Sequence, residues 1–455
     1  MESNVCWPYF DPEYESLSQR IHPPMVGIDN DTYGDCSLVM VDSANRHGIL
    51  LEVVQVLTDL DLIISKAYIS SDGGWFMDVF HVTDQLGNKL TDQRIIDYIK
   101  QALGAKRGPA TMEVRTCLGR TVGVQSIGEH TAIEMTGTDR PGLLSEISAV
   151  LTNLNCNVVA AEVWTHNMRV ACVVYITDEL TSRPIEEPDR LATIKEQLSN
   201  VLKGNDDRRG VKTDFSMGLT HTERRLHQMM FADRDYEGPE TSSLGEDGKP
   251  IITIDNCIEK GYSVVTVHSK DRPKLLFDTV CTLTDMQYVV FHASINSSGS
   301  CALQEYYIRH MDGCTLDTEG EKQRVIKCLE AAIERRVSEG LRLELCTSDR
   351  VGLLSDITRI FRENGLSVTR ADVTTRGDKA VNVFYVTDAS GNPVDMKIVE
   401  AMRKEIGDTI LQVKNVPSSP RSCPIDTTEK PRFSFGSLLK SQLERISYNI
   451  GLIKS

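Results

Sequence analysis

The chain has 455 residues with 50 basic and 65 acidic side chains, a formal charge of −15, and no long basic run. That balance argues against a nucleic-acid partner, because such binding rests largely on neutralising phosphates. No apolar stretch reaches the roughly 18 residues of a membrane span, so no transmembrane segment is expected. Residues Met1 to Phe10 lack the basic and apolar regions of a signal peptide, so none is expected. The 12 cysteines form no C-x-x-C pair, and Cys36, Cys172 and Cys346 fall inside predicted strands. They read as buried reduced thiols of an intracellular protein, cytoplasmic with the nucleus as the second compartment.

Trp7 to Pro24 is rich in aromatic residues and proline, and Met25 to Asn30 then reads as a short leader strand. The next strand ends in Asn45-Arg46-His47-Gly48-Ile49-Leu50, which precedes an apolar helical face. Variants of this turn return three times, at Asp139-Arg140-Pro141-Gly142-Leu143-Leu144, Asp271-Arg272-Pro273-Lys274-Leu275-Leu276 and Asp349-Arg350-Val351-Gly352-Leu353-Leu354. After the second copy Leu143, Leu144, Ile147, Val150, Leu151 and Leu154 fall on one side of a 3.6-residue period. An alanine follows each Asp or Asn by 22 residues, at Ala67, Ala161, Ala293 and Ala371, on a predicted second strand. A Thr-Asp pair closes a third strand in three copies, at Asp84, Asp178 and Asp388. Hairpin signals such as Asp72-Gly73-Gly74 and His166-Asn167 separate the second and third strands, and a second helix follows.

Each unit therefore reads as strand, helix, strand, strand, helix, strand. The expected fold class is α+β: tandem ferredoxin-like βαββαβ sandwiches with antiparallel sheets. The expected map has an N-terminal segment with its leader strand over 1–35, repeat 1 over 36–118 and repeat 2 over 128–217. A linker follows over 218–260, then repeat 3 over 261–337, repeat 4 over 340–416, and a tail over 417–455. The leader strand returns as Ile251 to Asn256, 226 residues after its first copy, and repeat 4 lies 210 residues beyond repeat 2. The chain reads as a duplicated pair of repeats, and that pair is expected to be the structural unit. Met112 to Thr116 and Val211 to Phe215 are candidate closing strands for repeats 1 and 2. Repeat 3 has no room for one, so its edge is open or is covered by a segment such as Ile251 to Asp255.

Thr222 to Met230 in the linker reads as a helix whose His221 and His227 are a solvated or packed pair rather than metal ligands. Glu237 to Pro250 reads as a flexible connector. In the tail Leu439, Leu443, Ile446, Ile450 and Ile453 make an amphipathic helical stripe, which suits docking on the chain's own domains or on a partner or membrane surface.

The four turns in register resemble those of ACT domains, and four such units with this amino-terminal stretch and linker resemble the plant ACR (ACT-domain-repeat) proteins. The resemblance covers nearly the whole chain. It implies a non-catalytic regulatory protein that binds amino acids or similar small ligands, a sensor in amino-acid or nitrogen signalling with a downstream protein that is not identified. It also implies ACT–ACT pairing within the chain or as a homodimer. Bacterial uridylyltransferases carry ACT repeats behind catalytic domains, for which this chain has no room. No G-x-G-x-x-G, P-loop, H-E-x-x-H or G-x-S-x-G pattern is present, so no catalytic residue, cofactor or metal is assigned. A scaffold with decayed ligand sites is the competing reading.

The turn suits an amino acid for physical reasons. The first amides of a helix lack partners within it and carry the positive end of its dipole. Asp139 is expected to cap one of them and Pro141 to fit the first turn, leaving amides around Gly142, Leu143 and Leu144 for a carboxylate. Gly142 lets ligand atoms approach the backbone, and the Asp139 carboxylate complements an ammonium group. The candidate ligand-binding residues are Asp139, Arg140, Gly142, Leu143 and Leu144 in repeat 2, and Asp349, Gly352, Leu353 and Leu354 in repeat 4. Repeat 1 offers Asn45 and Gly48, with no charge for an ammonium. Lys274 replaces the glycine in repeat 3, which is expected to be altered or silent. Gly142→Val is expected to block ligand approach with limited effect on the fold.

Overall fold

In a computed structural model the described residues are 24–44, 47–72, 75–104, 113–117, 121–122, 129–203, 210–216, 221–237, 249–257, 260–337, 340–406 and 410–414. Asn45, most of the connector and the tail stripe lie outside them.

Repeat 1 comprises β1 (Met25–Asp29), β2 (Ser37–Ala44), α1 (Ile49–Asp59), β3 (Ile63–Asp72), β4 (Trp75–Thr83) and α2 (Gln93–Leu103), followed by the short β5 (Val114–Arg115) and β6 (Thr121–Val122). Repeat 2 has β7 (Thr131–Thr138), α3 (Leu143–Asn153), β8 (Cys156–His166), β9 (Arg169–Asp178), α4 (Pro188–Leu202) and β10 (Lys212–Ser216). Then come α5 (Thr222–Ala232) and a 3-10 turn, Asp235–Glu237. Repeat 3 has β11 (Ile251–Cys257), β12 (Tyr262–Lys270), α6 (Leu275–Asp285), β13 (Tyr288–Ser298), β14 (Cys301–His310) and α7 (Glu319–Glu334). Repeat 4 has β15 (Leu341–Ser348), α8 (Leu353–Glu363), β16 (Leu366–Arg376), β17 (Lys379–Asp388), α9 (Met396–Ile406) and β18 (Ile410–Lys414).

Strand alternation separates a helix-facing side from an outer one. In β12, Ser263, Val265, Val267 and Ser269 are buried while their neighbours are not. In α3, Leu143, Leu144, Ile147 and Leu151 form the buried face, as their spacing predicts.

The strands form two eight-stranded antiparallel sheets, ordered β1-β2-β4-β3-β13-β14-β12-β11 and β10-β7-β9-β8-β16-β17-β15-β18. Repeat 1 thus pairs with repeat 3, and repeat 2 with repeat 4. The expectation that neighbouring repeats form the structural unit is wrong. The reason is edge pairing: β3 meets β13 with Ala67 opposite Ile295, and β8 meets β16 with Ala161 opposite Val373. These junctions cover the edges that a lone repeat leaves unpaired. The four marker alanines are all buried at the junctions, where a larger side chain would crowd the helices crossing above. Each sheet carries one core drawn from both of its repeats, with Val39 and Phe80 joined to Val267 and Tyr306 in one, and Ile133 and Ile176 to Leu345 and Phe384 in the other.

Repeats 1 and 3 also depart from the βαββαβ order. Their outer strand is the leader, β1 against β2 and β11 against β12, in the place that β10 and β18 take in repeats 2 and 4. A leader hairpin reaches that edge directly, so the segments assigned to the N-terminal stretch and linker contribute to the sheet. The candidate closing strand of repeat 1 does not join it. β5 pairs with β6 in a separate ribbon, with Val114 in the core and Thr116 donating to Asp61 at 2.7 Å.

The interleaving makes a direct prediction. With a protease site placed within 238–248, the cut chain should elute as one species and unfold in one transition, because each sheet holds strands from both fragments. Size-exclusion chromatography of the nicked protein is the test, and separation of the fragments would contradict the pairing.

Candidate functional site

The four turns share one backbone device. Gly48, Gly142 and Gly352 sit at φ of 80°, 83° and 78°, and Lys274 takes the same left-handed conformation at 68°. In repeat 2 the Leu143 amide donates to the Arg140 carbonyl at 3.1 Å, closing a tight turn with Pro141 and Gly142 at its centre. The helix begins after it, so the N-cap is Gly142, and no side chain caps α3. The expected caps by Asp139 and by Pro141 as first helical residue are therefore corrected: the proline and glycine belong to the turn itself.

The aspartates hold the second strand instead. Thr375 donates to Asp349 at 3.1 Å, and Ser297 hydrogen-bonds Asp271. In repeat 2 the matching Thr165 donates to the Thr369 carbonyl of repeat 4 at 2.9 Å, leaving Asp139 with the Arg140 amide. Desolvation outweighs that amide and the Arg140 charge and raises the Asp139 carboxyl to about 6. The Arg140 guanidinium is committed to Glu146 and to the Val201 carbonyl at 2.9 Å, tying the turn to both helices of its repeat.

The turns of repeats 2 and 4 face each other's repeat across the β8–β16 junction. Asp139, Arg140, Gly142, Leu143 and Leu144 line one cleft together with Thr358, Phe361 and Val368 of repeat 4. Asp349, Gly352, Leu353 and Leu354 line its counterpart with Ser148, Thr152 and Asn157 of repeat 2. Each cleft encloses only about 20 Å³, room for a single water. Any larger occupant has to part α3 from α8. A Cβ on Gly142 would lie 2.9 Å from Arg362 Cδ, whereas one on Gly352 meets only Thr152 Cγ2 at 3.5 Å. Valine at 142 would add branched-residue strain at positive φ, so the expectation of a mild Gly142→Val is corrected. Lys274 shows that the turn of repeat 3 accommodates an unbranched side chain at the equivalent point.

Sequence comparison places these repeats in a known family. Models of the ACR family N-terminal ACT domain and of the ACT domain match residues 32–109, and 131–202 with 341–404, respectively. The ACT domain-containing protein ACR3 of Arabidopsis thaliana is 62% identical over 97% of this chain and 100% of its own length. ACR4 of the same plant is 58% identical over 98% of each chain. The chain belongs to the ACR family of ACT domain-containing proteins. A bifunctional uridylyltransferase/uridylyl-removing enzyme of Rhodospirillum rubrum is 23% identical over 44% of this chain but only 20% of that enzyme.

In this ACR protein the turn of repeat 3 is covered by the chain itself. On one side of α5, Leu226, Met229 and Met230 pack on Trp164, Ala171 and Val173, the outer face of the second sheet. On its other side Glu223 pairs with Lys274 and lies 2.9 Å from Arg336, and His227 lies 2.8 Å from Asp278. His221 reaches Asp59, at the end of α1, at 2.6 Å. Burial works against the charges on Glu223 and Asp278, yet Arg336 with Lys274 or Arg272 holds both carboxyls well below their ordinary range. Burial also lowers His227, overriding Asp278, while at His221 the Asp59 bond overrides burial and raises the imidazole. The histidines are packed against carboxylates, and among the described residues no cluster suits a metal ion. No described helix is long and apolar enough to cross a membrane. Cys36, Cys156, Cys172, Cys281 and Cys328 are buried free thiols, while Cys301 departs from that reading in being disulfide-bonded.

Sequence reasoning found the turns but missed half of each cleft. Thr358, Phe361, Ser148 and Thr152 belong to the opposing repeat, and no signal within either repeat pointed to them. Nothing in the linker's pattern pointed to Arg336, whose guanidinium lies over Trp164 at 5.0 Å and 3.0 Å from Asp278. Arg336→Met would leave Glu223 with Lys274 alone and Asp278 with Arg272 and His227, and should cost about 3 kcal/mol, the low end for a broken buried pair. Denaturant unfolding should show that loss, and Glu223→Gln in the same chain should restore part of it.

Proposed function

We propose that this protein is a non-catalytic sensor that binds amino acids or closely related small molecules in the paired clefts of repeats 2 and 4. The observation that carries this reading is that two turns of the same design each meet a cleft wall supplied by the other repeat. Within each turn the amide of the first helical residue, Leu143 or Leu353, closes the turn, and the amides of the next two residues are left to suit a carboxylate. Asp139 and Asp349 supply negative charge for an ammonium group. Closure of the clefts supports a ligand-driven separation of α3 and α8, a movement that a downstream protein could read. Repeat 3 is assigned a structural part, since Glu223 already neutralises Lys274 at its turn.

A scaffold is the second reading, favoured by the small volume of both clefts. A melting screen of the intact chain against the common L-amino acids separates the two. A ligand at 100 times its dissociation constant adds about 2.7 kcal/mol to the folded state, whereas a scaffold shows no shift with any of them.

The ionisation of Asp139 gives this reading a pH signature. An ammonium group is drawn to the carboxylate, and the free cleft holds that carboxyl at about 6. Affinity in the repeat 2 cleft should therefore be full near pH 7.5 and fall as pH drops through 6, approaching tenfold per unit. Asp139→Asn should weaken binding by about 1.5–3 kcal/mol, the range for hydrogen bonds to charged groups, and remove the pH dependence. Calorimetric titrations at pH 5, 6 and 7.5 with the amino acid giving the largest melting shift are the measurement.

A further inference from the structure

The third strand of each repeat places one side chain at the same point behind the turn. Asp78, Cys172, Gln304 and Asn382 are related by the same offsets as the turns themselves. Each stands opposite an inward second-strand residue, respectively Ile69, Val163, Ile295 and Val373, so all four face the helices. All are at most 2% exposed. A position so constrained in placement and so varied in chemistry is where repeats of one fold would differ in what they accept.

Their hydrogen bonding divides them. The Gln304 carbonyl accepts from Thr279 at 3.0 Å and from the Tyr306 hydroxyl at 2.8 Å, so repeat 3 answers its own polar group. Cys172 is a buried thiol whose proton is held by desolvation, with a pKa pushed up to about 12, and it behaves as a small apolar group. Val163, Val170, Phe361 and Val368 give the repeat 2 cleft an apolar wall nearby. Asn382 is the opposite case. It lines the repeat 4 cleft with Asp349, Gly352 and Thr375, and its buried carbonyl oxygen has no hydrogen-bond partner. An unanswered amide oxygen at a cleft wall lowers stability until something donates to it.

We infer that Asn382 sets the side-chain specificity of the repeat 4 cleft. It selects an amino acid whose side chain carries a hydrogen-bond donor, an amide or a hydroxyl, while the repeat 2 cleft, walled by Val163, Val170, Phe361 and Val368, takes an aliphatic one. This rests on the amino-acid reading of the two clefts and adds the chemistry of the side chain to it. A cleft built to hydrogen-bond one group discriminates strongly against ligands that lack it, because its own buried polar atom is then left unpaired.

The test is calorimetric titration of the full chain with L-asparagine, L-glutamine, L-serine and L-threonine, and with L-valine and L-leucine. Asn382→Leu, close in volume, should weaken the tightest of the polar ligands by about tenfold or more and leave the aliphatic ones within about twofold. Asn382→Cys, which puts the residue of repeat 2 at this point, should weaken the same polar ligand and decides the matter if Asn382→Leu does not fold. Asp349→Asn separates the two levels of the argument. Polar binding that survives Asn382→Leu but falls in Asp349→Asn overturns the role of Asn382 alone. Binding that survives both overturns the cleft reading as well. A wild-type chain that binds only valine and leucine overturns the inference and leaves the amino-acid reading standing.

Discussion

The structure depends on the pairing of edges. A repeat of this size closes one side of its sheet with an outer strand but leaves the far edge of its second strand unpaired, with a row of amides and carbonyls exposed. Here β3 finds β13 and β8 finds β16, joining repeats that are not neighbours in the chain. Everything else at the centre follows from those two ladders. They bring α1 beside α6 and α3 beside α8, merge two small cores into one on each sheet, and set the turns of repeats 2 and 4 against each other's repeat. The marker alanines are small because they stand where two repeats and two helices converge.

The same geometry makes the two sheets unequal. One face of the second sheet would present Trp164, Val173 and Tyr175 to water, and α5 covers them. The opposite side of α5 meets the helices of the first sheet through ion pairs, with Phe277 of α6 against the rings of His221 and His227. Arg225 with Glu134, Arg169 with Asp233 and Arg335 with Asp235 extend that set of ion pairs around the helix. Buried ion pairs of this kind contribute less to stability than to fixing one arrangement against others, since each charge must find its partner to be tolerated. The helix thereby couples the turn of repeat 3 to the outer face behind repeat 2.

Much of the fold was legible in the sequence because periodicity and fixed spacing report local structure directly. Leu143 to Leu154 specify a helix face, and Ala67, Ala161, Ala293 and Ala371 fix the register of four units. The leader strand was visible at Ile251 to Asn256, and the structure places it on the edge left open in repeat 3. Partnership between repeats was not legible, because each second strand has the same pattern and the duplication at 226 and 210 residues favours neighbours as readily as alternates. The cap was misassigned for a related reason. Asp139 before Pro141 and Gly142 has the composition of a helix start, yet the left-handed glycine moves the start to Leu143 and turns the aspartate toward its own cleft. Asn382 carried no signal at all, since an asparagine in an apolar strand acquires meaning only when the cleft in front of it is known.

The central claim is that a small ligand enters between repeats 2 and 4 and engages the helix starts there. Hydrogen–deuterium exchange on the intact chain tests it most directly, with and without the amino acid giving the largest melting shift. The account predicts slowed exchange at amides 142–146, 352–356 or both, with amides 274–278 under α5 unchanged. Protection confined to 274–278, or found away from every turn while 142–146 and 352–356 exchange as before, would contradict it.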